Sequence, residues 1–214
     1  RKEYQRIDDA RLHLHFKIAV GLVVFAFLVE CIMGLLIVNS DLLSTTVGIY
    51  IWKFIVFPSG VNFLALMVGA MAIKSNHLSQ NKKIYTVSLV FSFICFVLFA
   101  VHHSFSATYY LFGMAIVLTT IYVNFRLTAV TAVVSIFAMI FSELFIKWDL
   151  DKVSIFESTD RLGDFLVACF ILIGCFLACM VEISYGKQKN EASIRKELER
   201  KMLTQKLMID DLTG

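Results

Sequence analysis

Carboxylates and imidazoles inside long apolar runs are costly, so they pair with one another or mark a functional site. Four stand out here: Glu30, His102, His103 and Glu143. Glu30 lies 14 residues into the first apolar run, in its outer half, and Lys53 stands at the start of the second run at a similar depth. A lysine is long enough to reach that glutamate, giving either a structural ion pair or a pair that contacts a ligand. His102 and His103 end the third run, Tyr109 and Tyr110 open the fourth, and Glu143 lies near the end of the fifth. With Trp52, Ser59 and Asn62 these groups could converge on an outward-facing cavity; anchoring of His and Tyr at headgroup level is the alternative. Adjacent helical positions differ by about 100° in direction, so at most one of the two histidines points squarely at the axis. A metal on His102 or His103 with Glu143 has no recognised ligand spacing behind it, and none is assigned. Haem would want histidines at both depths, and His13, His15 and His77 fall on the cytoplasmic side. The expected ligand-contacting set is Glu30, Lys53, Asn62, His102, His103, Tyr110 and Glu143, around an unknown small ligand.

The elements that must hold these groups follow from composition. Of 214 residues, 58% are hydrophobic and only 17% charged, against about 45–50% and about 25% in soluble domains. Mean hydropathy is +0.76. A bilayer core about 30 Å thick takes roughly 20 apolar residues at about 1.5 Å each. Six stretches qualify: Phe16–Val38, Phe54–Ile73, Ile84–His102, Ala107–Asn124, Leu127–Ile146 and Gly163–Ile183. The fold class is therefore an all-α membrane protein, a six-transmembrane-helix bundle. The net charge of +3 argues against nucleic-acid binding. Five cysteines inside apolar runs suggest neither a disulfide framework nor a zinc site. Val47–Phe57 is apolar up to the sole proline, Pro58, and reads as an outer interfacial segment that turns into span two; a long kinked helix is the alternative. The first span, 23 residues long with no small-residue cleavage pattern, is not a signal peptide.

Sixteen of the 20 basic residues fall on one side of these spans, leaving Lys53, Lys147, Lys152 and Arg161 for the other. The positive-inside rule puts both termini in the cytoplasm, as in a multi-pass protein of a bacterial inner membrane. Residues 1–15, with Tyr4, Ile7, Leu12 and Leu14 among charges, read as an amphipathic helix under the inner leaflet or as a helical overhang in water. Residues 16–183 form the six-helix sensory domain. Its outer connections are short, so any outside signal must be met within the bundle. Met67 and Met71 share a helix face and read as core packing. Small residues recur as Gly174-x-x-x-Ala178 and Cys175-x-x-x-Cys179 in span six and as Ala65-x-x-x-Gly69 in span two, allowing close helix approach. The Gly174 face is the expected dimer contact.

Residues 184–211 change character abruptly: charged, proline-free, and read as a helix continuing span six. Leu198, Met202, Gln205, Ile209 and Leu212 follow a 4-3-4-3 spacing. A second seam pairs Leu198, Gln205 and Leu212 with Ile194 and Met208 and admits Lys201. Two overlapping seams suit a dimeric coiled-coil signalling helix that can rotate; a marginal coiled coil without switching is the plainer reading.

The chain closes on Asp210-Asp211-Leu212-Thr213-Gly214. A helical linker running into D-x-L-T-G resembles the start of the GGDEF domain of diguanylate cyclases, so residues 210–214 would open that domain. The match covers about five residues and the helix before them. The resemblance implies a truncated catalytic domain, with Asp210, Leu212, Thr213 and Gly214 as the hinge into it. It implies that the intact protein joins two GTP, with Mg²⁺, into cyclic di-GMP across a parallel homodimer. The family's catalytic and Mg²⁺-binding residues are absent from these 214 residues, so no catalytic residue and no cofactor are assigned here. A histidine-kinase sensor is the nearest rival, but residues 184–214 hold no histidine. A small transporter is the rival of another class, and no internal repeat supports it.

Overall fold

The computed structural model describes residues 2–38, 46–102, 105–148, 152 and 154–213; the side chains of 2–6, 198, 201 and 204–213 are outside that description. His103 and residues 39–45 lie outside the described residues, as does Gly214. Among the described residues the chain is all-helical. Seven α-helices follow in order: α1 (Lys2–Val38), α2 (Val47–Ile51), α3 (Phe57–Lys74), α4 (Gln80–Val101), α5 (Leu111–Leu118), α6 (Phe125–Phe145) and α7 (Thr159–Thr213). Five helical stretches are long and apolar enough to cross a membrane: Ile7–Val38, Val47–Lys74, Gln80–Val101, Phe125–Phe145 and Thr159–Glu197. The remaining expected span is the shorter apolar helix Ser106–Tyr122.

α4 is the central helix. Its Phe91, Ile94, Cys95 and Phe99 are fully buried, and Phe112 and Ile116 of α5 and Met139 of α6 pack into the same core. α1 and α7 lie outside it, with Phe25 and Leu35 on one and Phe170 and Val181 on the other all well exposed. Such a surface needs an apolar surround, because water makes every exposed apolar area costly. The interior is tied by small hydroxyls that reach across helices: Ser135 Oγ donates to Ser92 Oγ (3.2 Å), and Thr119 Oγ1 to Thr128 Oγ1 (2.8 Å). Where lipid offers no competing partner, such bonds help fix which helix faces meet.

Three departures from the sequence reading bear on the site. First, residues 2–15 are not a separate element but a helical overhang of the first span, the alternative reading. They continue α1 without a break, and Leu12 and His15 are fully buried. His15 Nδ1 meets the Tyr122 hydroxyl at 3.2 Å, and its ring packs edge-on to Phe91. Second, Val47–Phe57 does not turn into span two at Pro58. The helix runs through, and a π-helical stretch, Trp52–Val56, joins α2 to α3. Proline lacks an N–H and crowds the carbonyl four residues back. Here the neighbouring Phe57 N–H reaches back five residues to Trp52 O, so the ladder widens ahead of Pro58 instead of breaking. Third, α5 is flanked by 3₁₀ segments, Ser106–Tyr110 and Thr119–Tyr122. Val123 then takes a left-handed conformation (φ 52°), uncommon for a β-branched residue. Asn124 follows as the N-cap of α6, accepting from the N–H groups of Arg126 and Leu127.

Candidate functional site

The expected convergence of all the intramembrane polar groups does not occur. Glu30 with His102 and Glu143 belong to two separate clusters that share neither a partner nor a cavity.

The first is built on Glu30, which α1 holds with only 4% of its surface exposed. Ser59 of α3 donates to Glu30 Oε2 at 2.9 Å, and His102, at the C-cap of α4, lies with Nε2 3.0 Å from Oε1. Three helices thus meet at one carboxylate. Lys53 is not its partner: that ammonium lies over the Phe54 ring, 5.2 Å from its centroid. The physical reason is the π-helical stretch. Trp52–Val56 wind as a π-helix, so the ~100° step of an α-helix does not fix which way Lys53 faces. Beside Glu30 lies a cavity of about 470 Å³, lined by α1, by Tyr50 and Phe54, and by His102, Phe105, Thr108 and Leu111. Its walls are almost wholly apolar. Tyr50 stacks on Phe54 with centroids 5.1 Å apart.

The second cluster is built on Glu143, near the C-terminus of α6, whose side chain is fully buried. Arg161 of α7 donates from Nη2 to Oε1 at 2.9 Å. Lys152 Nζ stands 3.5 Å from Oε2, an ion-pair distance rather than a hydrogen bond. Its own hydrogens go to the carbonyls of Ser142, Glu143 and Ile146 at 3.0–3.1 Å. A cation on the carbonyls at the C-terminal end of a helix is favourable through both hydrogen bonding and the helix dipole. Burial pushes the Lys152 ammonium below the ordinary lysine pKa, and Glu143 opposes that shift. Sequence reasoning missed Lys152 and Arg161 as partners, although their place in a short connection beside Glu143 was a usable signal.

Other expected residues fall elsewhere. Asn62 is buried on α3 with Oδ1 unpartnered, and Tyr110 is exposed; neither lines the cavity. No group of three metal-ligating side chains occurs among the described residues. On α7 the two small-residue registers separate. Cys179 is buried, and Cys175 Sγ approaches Gly113 O at 3.9 Å. Gly174 and Ala178 face outward, and a Cβ added at Gly174 would meet nothing within 4 Å. Beyond the bundle α7 stays helical through Asp210, Leu212 and Thr213, with Met202 exposed; the side chains of Leu198, Ile209 and Leu212 lie outside the described residues. Comparison with family models, curated proteins and solved structures gives no match.

Proposed function

We propose that this chain is the membrane sensory and dimerisation module of a diguanylate cyclase, multi-pass in a bacterial inner membrane with both termini in the cytoplasm. The observation that supports it is α7: one unbroken helix of 55 residues carries the chain from the apolar bundle through a charged segment to D-x-L-T-G. A signal acting on the bundle would reach a following domain through that helix. The Ser106–Tyr122 helix counts as the sixth span in this reading. Its 5 and 4 residues of 3₁₀ helix rise about 2.0 Å each and its α-helical residues about 1.5 Å, giving roughly 30 Å in all. That length matches the bilayer core, and an even number of spans suits the one-sided distribution of basic residues.

Two protomers would pair in parallel along the outward face of Gly174 and Ala178 and along Leu198, Met202, Ile209 and Leu212. Each catalytic domain would bring one GTP with Mg²⁺, so the approach of the two domains sets the rate through proximity. A ligand can shift such a device only by binding its two states with different affinity.

Sequencing the gene past Gly214 tests the cyclase assignment directly: a G-G-D-E-F signature is expected, and a different continuation overturns it. Cysteines at Leu198 or Met202 test the dimer. Efficient disulfide cross-linking in membranes is expected; a monomer that never cross-links would reject the pairing.

A further inference from the structure

The cavity beside Glu30 has a chemistry specific enough to name its ligand class. At about 470 Å³ it falls within the range of small-molecule sites, roughly 300–1,000 Å³. Its lining includes Phe25, Val29 and Phe105, which are 65%, 41% and 53% exposed on the outside of the bundle. The mouth is therefore apolar and opens sideways, where the apolar surround of the helices would lie. A polar solute has no favourable path through such a mouth. An apolar molecule dissolved in lipid does.

Inside, polar function is sparse and one-sided. Thr108 spends its hydroxyl on Phe105 O at 2.7 Å. Glu30 is the one carboxylate in the lining. A carboxylate offers about four lone-pair sites, and Ser59 and His102 occupy one on each oxygen. No lysine or arginine among the described residues pairs with it. The unused capacity calls for a donor, and a nearly buried carboxylate whose one basic partner is the His102 imidazole favours a positively charged one. Tyr50, in the same lining, adds an aromatic face of the kind on which cations rest, while the Phe54 ring already carries Tyr50 and the Lys53 ammonium. An anionic head would meet like charge in a weakly solvated site.

We propose that this cavity binds an apolar amine, its hydrocarbon body among Phe25, Val29 and Leu111 and its ammonium on Glu30. In terms of the proposed function it is the sensing site. The binding experiment needs no cyclase output, so either idea can fail without the other.

Photo-crosslinking on the chain in lipid nanodiscs provides the test. The probes are a 12-carbon alkylamine, alcohol and fatty acid, each with a mid-chain diazirine, and labelled residues are mapped by mass spectrometry. The amine is expected to label residues 22–33 and 105–111, at least tenfold more than the acid and several-fold more than the alcohol. Glu30→Gln should cut amine labelling about tenfold, and Ala26→Leu, which fills the cavity without touching the charge, should cut it as well. Equal labelling by amine and acid, alcohol labelling that matches the amine, amine labelling indifferent to Glu30→Gln, or no labelling of the cavity each overturns the proposal. Should Glu30→Gln fail to fold, competition on the unaltered chain decides: unlabelled dodecylamine must displace the amine probe and dodecanoate must not.

Discussion

Glu30 and Glu143 are both glutamates within apolar helices and both nearly or fully buried, yet their surroundings are opposite. Glu143 faces two cations, Arg161 and Lys152, which tie α7 and the segment after α6 to the end of α6 itself. No cavity adjoins it among those described. Glu30 has a hydroxyl and an imidazole for partners and a cavity at its side. The first arrangement sets two fixed cations against the carboxylate, although Oε2 accepts no hydrogen bond; the second pairs with no lysine or arginine and borders a cavity. The contrast separates a charge held by the fold's own cations from one that borders open volume.

Making the same isosteric change at both sites is the strongest way to break that comparison. Glu143→Gln strands two buried or half-buried cations, and should lower unfolding stability by about 3–5 kcal/mol. Glu30→Gln keeps a carbonyl for Ser59 and leaves no stranded lysine or arginine, so its cost should stay within about 1 kcal/mol. Unfolding in mixed micelles, followed by circular dichroism, reads both values. Equal losses would erase the distinction, and a larger loss at Glu30 would reverse it.

The smallest effect is one of pH, and it sharpens the Glu143 side. Lys152 has a depressed pKa because burial disfavours its charged form. As pH rises through that depressed value, the folded chain releases the proton while the unfolded chain still holds it. Stability therefore rises with pH until the ordinary lysine value is reached, then levels off. Lys152→Met should remove this alkaline rise while lowering stability overall, since the carbonyls of Ser142, Glu143 and Ile146 lose the Lys152 ammonium. Unfolding free energies of both proteins across the alkaline range check the slope; an unchanged slope in Lys152→Met would assign it to another group.

Much of the fold was legible because membrane helices need only length and apolarity, both countable along the chain. The ends of α4 and α6 and the continuity of α7 follow from such counting. Glu30, His102 and Glu143 were also visible, as polar anomalies in apolar runs. Their grouping was not. Depth can be counted from the sequence, but direction around a helix depends on every turn between; Pro58 marks a disturbance of the ladder without saying that Trp52–Val56 widens into a π-helical stretch. That is why Lys53 was matched to Glu30 at the right level and on the wrong face. Lys152 and Arg161 were hidden for a different reason: charges in a connection carry orientation information, and that reading masked their role as partners of Glu143. The burial of His15 was hidden because the helix through Leu12 looks amphipathic whether it meets lipid or protein.

The left-handed turn at Val123 has one more consequence. It sets the Val123 side chain against α7 at Gly186, with Cγ1 3.5 Å from where a Cβ would stand. One residue on, the Lys187 ammonium caps the Phe125 ring at 4.2 Å. Past this point α7 extends roughly 40 Å further, at about 1.5 Å per residue. The contact lies near the middle of α7. A tilt of about 5° within the bundle would swing the far end by roughly 3.5 Å over that length, more than two residues of helical rise. Movements small beside the packing around α4 would thus arrive at Thr213 magnified by the length of the helix.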